Sequence, residues 1–139
     1  MKDLKPTILE LIKKHHLAGL ATVTEEGKPW VRYVMLNVAD DLTLRTATFR
    51  NSRKVAHVKK NPEVHVTCGY DGDMMSPYLQ IQAKAEVTDD KKERHALWND
   101  HFKAYFKGPD DPNYVIMIIK PYRIELVEDA SHQPKVWTK

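Results

Sequence analysis

Cysteine is almost missing from this chain of 139 residues: Cys68 stands alone. That excludes an intrachain disulfide and any cluster of thiolates for zinc or iron–sulfur, so redox chemistry here needs a borrowed cofactor. Long apolar runs are also missing. None approaches the length of a membrane span, and residues 1–5 lack the apolar stretch of a signal peptide, so a cytoplasmic protein with no membrane partner is expected. Glycine is scarce, at five residues, and no repeat, low-complexity stretch or linker interrupts the chain; one domain over residues 1–139 is expected. Charge of one sign is missing as well. Lys and Arg number 22 against 19 Asp and Glu, for a net charge of +3, and the two signs are interleaved without an arginine-rich tract or zinc-finger spacing. Nucleic acid therefore ranks last among partners, and a few cations reserved for a small anionic ligand explain the excess equally well.

What is present suits a packed β-rich fold. Apolar residues make up 42% of the chain, enough for a core. Asp3 and Pro6 open a first helix that has Ile8, Leu11 and Ile12 on one face and ends in Lys13, Lys14, His15 and His16. Residues 20–24 and 30–37 are β-branched and aromatic around the turn Glu25-Glu26-Gly27-Lys28, a hairpin. The turn Ala39-Asp40-Asp41 leads to 42–48, so three successive antiparallel strands are expected. A short helix follows over 52–60, then a strand over 64–70. Strict alternation of Leu79, Ile81, Ala83, Ala85 and Val87 with polar residues marks another strand. Asp89 and Asp90 open a helix to about residue 105, and 114–119 and 123–127 close the chain as two strands. Dense short strands with few helices predict a barrel.

The informative segment is Thr46-Ala47-Thr48-Phe49-Arg50-Asn51-Ser52-Arg53-Lys54, a strand end running into a helix start. A helix amino terminus presents free N–H groups and partial positive charge, so cations there oppose the dipole. Arg53 and Lys54 sit on that end. Two explanations stand side by side: a serine cap followed by solvated basic side chains, or a phosphate held by Ser52, a bidentate Arg53 and the point charge of Lys54.

With Arg32-Tyr33-Val34-Met35-Leu36-Asn37 upstream and Asn61-Pro62-Glu63-Val64 downstream, the order and spacing resemble the pyridoxamine 5′-phosphate oxidase-like FMN-binding split barrels, in particular their general stress protein branch. The match runs from about Leu17 to Val127, through Ala83-Lys84-Ala85-Glu86 and Arg123-Ile124-Glu125. The resemblance implies a mainly β fold, a six-stranded antiparallel split barrel with flanking helices. It further implies a homodimer with two FMN sites at the subunit interface and flavin-dependent oxidoreductase chemistry with a small-molecule redox partner. Arg32, Tyr33, Val34, Met35 and Asn37 would lie along the flavin, Thr48 near the phosphate, and Ser52, Arg53 and Lys54 on it. A partner-chain glutamine near the flavin corresponds to the region of Tyr78 and Gln80.

Departures bear on the reaction. Oxidases acting on pyridoxamine phosphate have lysine where this chain has Asn37, and an Arg-x-His element near the carboxyl end that is absent here. The flavin site is thus expected without the vitamin-B6 oxidase activity. A non-catalytic flavin-binding protein, deazaflavin F420 in place of FMN, and haem are the alternatives on the same barrel. His15 with His16, His95 with His101, and His132 lack the spacing that sets two ligands on one helical face, so no metal site is expected. Cys68 is expected in the core, and Trp98 is expected to pack internally. Trp137, in a polar tail, is expected to dock at a dimer or ligand site.

Overall fold

The computed structural model describes residues 3–73, 75–128, 131 and 133–139; His132, one of the histidines weighed above, lies outside them. Helix α1 spans Lys5–Lys14 and buries Ile8, Leu11 and Ile12. Asp3 is one residue too early to cap it in the usual way, and its carboxylate accepts the Lys5 N–H instead, at 3.0 Å. Strands β1 (Leu17–Val23) and β2 (Pro29–Met35) form the expected hairpin. Gly27, at φ +79°, supplies the left-handed turn position.

The chain then departs from three successive paired strands. At Leu36 the N–H bonds to the His16 carbonyl at 2.7 Å and the side chain enters the core, which ends β2. The chain resumes as β3 (Asn37–Val38), pairing with β4 (Leu44–Phe49). Strand β4 lies beside β7 rather than β2. The remaining elements are α2 (Arg53–Lys60), β5 (Glu63–Cys68), β6 (Tyr78–Thr88), α3 (Lys91–Leu97), a 3-10 turn (Asp100–Ala104), β7 (Tyr114–Val127) and β8 (Lys135–Thr138). They make one antiparallel sheet in the order β2-β1-β5-β6-β7-β4-β3, with β8 on the second half of β7. Its ends curl together until β2 lies near β4 without a ladder between them, the form of a split barrel.

Three other expectations are revised. The helix expected to run to residue 105 stops at Leu97, because the Asn99 side chain accepts the His101 N–H and starts a separate 3-10 turn. The two strands expected over 114–127 are one. Its pairing with β6 shifts between Gln82 and Ala83, so Ala83 faces Pro121 and Gln82 faces Arg123. Tyr122 is the extra residue, and a bulge accommodates the proline that cannot donate. Finally, the tail forms β8, a strand not expected from the sequence, which sets Trp137 opposite the buried Ile124 and packs it, partly buried, against this chain's own core. Trp98 packs as expected, in a second small cluster with Phe102 and Tyr114 at ring separations of 5.7 and 5.5 Å. Cys68 is buried, and burial pushes its thiol up to about 11.

Gly69 closes β5 at φ +117°, where a Cβ would stand 2.6 Å from the Pro77 carbonyl oxygen and 2.8 Å from the Tyr78 Cα. Gly72, at φ +98°, has open space around it. Gly69→Ala is therefore expected to cost about 3 kcal/mol, and Gly72→Ala only about 1 kcal/mol, since one adds a backbone clash to the strain that both share. Urea midpoints of the two variants check this; equal shifts would contradict it.

Candidate functional site

Alternation along β1 and β2 sorts the site residues onto two faces. Ala18, Leu20 and Thr22 point inward from β1, as Arg32 and Val34 do from β2, while Tyr33 and Met35 point outward. Thr22 breaks the apolar inward row, and it is 1% exposed. Its oxygen accepts from Arg32 Nη1 at 2.7 Å and lies 2.8 Å from His57 Nδ1 on α2. The same Nη1 approaches the carbonyls of Trp30 and Leu20 at 3.1 and 3.3 Å. The guanidinium is thus anchored by one nitrogen. Its Nε and Nη2 donors meet no protein acceptor among the described residues.

Next to it, α2 begins without a side-chain cap. Ser52 has the extended backbone of an N-cap residue, yet its hydroxyl pairs with that of Thr48 at 3.1 Å and makes no cap bond. The first-turn N–H groups stay available. Arg53, the first helical residue, lays its guanidinium over the Trp30 ring, 5.3 Å from the centroid. Among the described residues no carboxylate pairs with Arg32, Arg53 or Lys54, whereas Arg45, Arg50 and Arg123 each have one. The electrostatic consequence is mutual. Burial first, and the charge of Arg53 second, lower the Arg32 guanidinium below its ordinary value; burial and then Arg32 do the same to Lys54. His57 is lowered by burial, Arg32 and Arg53, against an opposing pull from Glu25.

Beside this cluster lies a cleft of about 740 Å³ whose wall includes Arg32, Tyr33, Gly19, Val31, Thr67 and Tyr78. That volume is within the range of small-molecule sites. Its rim carries an exposed apolar row: Val31 is 66% and Tyr33 80% exposed, with Leu17 and Met35 beside them.

The structure thus brings Arg32, Thr48, Ser52, Arg53 and Lys54 to one corner, and Tyr33 and Tyr78 to the adjoining cleft. Three other residues fall elsewhere. Val34 is in the core. Asn37 lines a separate cleft of about 470 Å³ with Arg45, Lys92 and Glu93, where Arg45 and Glu93 are paired at 2.9 Å. Gln80 faces out over a small polar hollow with His65, Gln82, Arg123 and Glu125. Met35 stands exposed on the apolar row. Sequence reasoning missed Thr22, Trp30 and His57. The first was signalled by a polar residue on a buried alternation, and the last by its place four residues after Arg53, on the same helical face.

Comparison with known proteins decides the family. The family model described as pyridoxamine 5′-phosphate oxidase matches residues 4–128. The chain belongs to the pyridoxamine 5′-phosphate oxidase family. It is 33% identical to General stress protein 26 of Bacillus subtilis (strain 168) over 134 residues, covering 96% of this chain and 94% of that protein. The crystal structure of General Stress Protein 26 from Bacillus anthracis str. Sterne superposes with a TM-score of 0.84 at 29% identity, covering 98% of each chain. Two more distant structures share the fold. One is a pyridoxamine 5′-phosphate oxidase-related, FMN binding protein from Nostoc punctiforme PCC 73102, with a TM-score of 0.75 and 13% identity over 100% of this chain and 98% of that one. The other is a heme binding protein from Mycobacterium smegmatis, with a TM-score of 0.81 and 14% identity over 99% of this chain and 59% of that one.

The lowered imidazoles give a pH dependence. His57 and His65 are both held below the ordinary value of 6.5 in the folded protein, so the unfolded chain binds more protons as pH falls. Stability is then fully present above about pH 6.5 and is lost as pH drops through that value toward the folded-state values. Urea midpoints of the free protein between pH 8 and 5.5 are expected to fall, and His57→Gln is expected to flatten that fall; an unchanged slope in the variant would count against the assignment.

Proposed function

We propose that this protein is an FMN-binding flavoprotein, working as a homodimer in flavin-dependent oxidoreduction, with Arg32, Arg53 and Lys54 holding the FMN phosphate. One observation carries this. Three cations with no carboxylate partner among the described residues converge on an uncapped helix start, and one of them, Arg32, also lines the cleft. Cations left unneutralised against a helix dipole are costly to the free protein, and a phosphate dianion offsets that cost. Membership of the family and the FMN-binding fold neighbour point the same way.

In this reading the unpaired Nε and Nη2 edge of Arg32 offers a fork to the phosphate, Arg53 a second, and Lys54 a partly desolvated point charge. The Thr48 and Ser52 hydroxyls and the first-turn N–H groups of α2 supply neutral donors. Gly19, Val31, Tyr33 and Tyr78 would receive the flat ring and keep water from it. The chemistry that bound FMN supplies is hydride or electron transfer at its isoalloxazine ring. Asn37 stands in a separate cleft with Lys92 and the internally paired Arg45 and Glu93; with asparagine in place of the oxidases' lysine and no Arg-x-His element near the carboxyl end, a substrate other than pyridoxamine phosphate is favoured. The fold neighbour that binds heme keeps that alternative in view. A visible spectrum of the purified protein, with the mass of the released chromophore, separates FMN, F420 and haem.

Charge-assisted hydrogen bonds are worth roughly 1.5–3 kcal/mol each, so Arg53→Ala is expected to raise the FMN dissociation constant about 10- to 150-fold. Lys54→Ala is expected to raise it less. Stability of the free protein should barely move, because losing the stack on Trp30, about 0.5–1 kcal/mol, is offset by relief of a charge–dipole conflict of similar size. Unchanged FMN affinity in Arg53→Ala would mean that the segment is a structural helix start.

The exposed row Leu17, Val31, Tyr33 and Met35 is the surface we assign to the second subunit, since it borders a cleft that one chain leaves open to water. Sedimentation is expected to show a dimer, and Tyr33→Glu a monomer with weakened FMN binding. A wild-type monomer with full FMN affinity would remove the dimer from the proposal.

A further inference from the structure

One chain of hydrogen bonds joins three elements at the cationic corner: Arg32 of β2, Thr22 of β1 and His57 of α2. Arg32 stands opposite Leu20 in the hairpin register, so Thr22 is its diagonal neighbour on the inward face, within reach of a long side chain. A guanidinium only donates, so the Thr22 oxygen is the acceptor toward Arg32 Nη1 at 2.7 Å. The hydroxyl hydrogen then needs an acceptor of its own in a buried position, and His57 Nδ1 at 2.8 Å is the one the structure provides. Every member of the chain is satisfied when His57 is neutral, accepts at Nδ1 and carries its proton on Nε2.

The direction of this chain decides which edge of Arg32 is left over. Nη1 is occupied by Thr22 and, at longer range, by the Trp30 and Leu20 carbonyls at 3.1 and 3.3 Å, whereas Nε and Nη2 meet no protein acceptor among the described residues. Thr22 is β-branched and stiff at χ1, so its oxygen holds the guanidinium by one corner and leaves a two-donor edge that suits a phosphate. The far end of the chain matters equally. His57 lies on the helix that opens with Arg53 and Lys54, so any shift of α2 away from β1 would take Nδ1 off the Thr22 hydroxyl. A single buried hydroxyl thus ties the β2 cation to the helix that carries the other two.

We infer that Thr22 and His57 are positioning residues of the phosphate site: the neutral imidazole orients the Thr22 hydroxyl, the hydroxyl oxygen fixes Arg32, and the pair holds Arg32 in register with the start of α2. This rests on the assignment of the FMN phosphate to Arg32, Arg53 and Lys54. Both residues act through Arg32, so their effect belongs to the phosphate end of the ligand, and affinity for FMN relative to riboflavin, which lacks the phosphate, measures it. No proton is exchanged, and His57 keeps the same tautomer with and without the anion. A guanidinium already held in place does not have to be ordered when the anion arrives, an advantage of about 2- to 12-fold in affinity for one long side chain.

Calorimetric titrations with FMN and with riboflavin give the ratio of the two affinities. Thr22→Val, which fills the same space without the hydroxyl, is expected to lower that ratio about 2- to 12-fold, and Thr22→Ser to return most of it. His57→Leu is expected to lower it to a similar extent. His57→Asn is expected to lower it less, because its Oδ1 stands as many bonds from Cβ as Nδ1 does and can accept in its place. In the wild-type protein near pH 8, nitrogen NMR is expected to show His57 protonated on Nε2 and bare on Nδ1, with FMN and without it; this measurement decides the matter should Thr22→Val fail to fold. An unmoved ratio in folded Thr22→Val, or a His57 protonated on Nδ1, while Arg53→Ala still weakens FMN binding, would overturn this inference alone. Loss of the Arg53→Ala effect, or no FMN binding at all, would overturn the phosphate assignment and this inference with it.

Discussion

The ladder between β6 and β7 is the constraint on which the molecule depends. Strand β6 runs from Tyr78 to Thr88 along Ile116–Val127, and β7 carries β4 on its first half and β8 on its second. One strand thus joins both halves of the barrel, and residues 114–119 are buried without a break. A strand covered on both faces reads as a continuous apolar run. The bulge at Pro121 and Tyr122 lets β7 change its covering partner while keeping its place in the sheet. Everything at the corner between β2 and α2 is held indirectly by this ladder, because β4 ends at Phe49 on β7 and delivers Thr48 and Ser52 to the start of α2.

Several cations on the surface have a carboxylate within reach, among them Arg45 with Glu93, Arg50 with Asp89, Arg123 with Glu125 and Lys120 with Glu86. Such exposed pairs contribute little to stability, but they neutralise the surface locally, whereas at the corner between β2 and α2 no carboxylate among the described residues pairs with Arg32, Arg53 or Lys54. Like charges gathered in a partly buried corner are unfavourable until an anion arrives, and preorganisation of this kind favours binding of a dianion over water.

Much of this was legible in the sequence. The alternation of β6 and the first hairpin obey local rules, and the Ser-Arg-Lys helix start stands out by breaking one, since strand period and helix polarity are properties of a few adjacent residues. What was not legible depends on contacts distant in sequence. The switch of the chain at Leu36 depends on His16, and the fusion of 114–127 into one strand depends on a register set by β6. The place of Trp137 depends on β8 finding β7. At the site, Arg53 and Lys54 could be singled out because they offend the dipole of their own helix. Thr22 and His57, 35 residues apart, could not be joined without the fold. Asn37 illustrates the opposite limit: it keeps its order in the motif but lines a separate cleft.

The three indoles occupy unlike surroundings: Trp98 is enclosed by Phe102 and Tyr114, Trp137 rests on the core, and Trp30 is half in water beneath the guanidinium of Arg53. A cation over an indole face perturbs its excited state directly, and among the described residues only Trp30 carries one. The protein therefore has an intrinsic optical gauge at one corner, where a colourless anion that draws Arg53 off the ring would change the emission of Trp30.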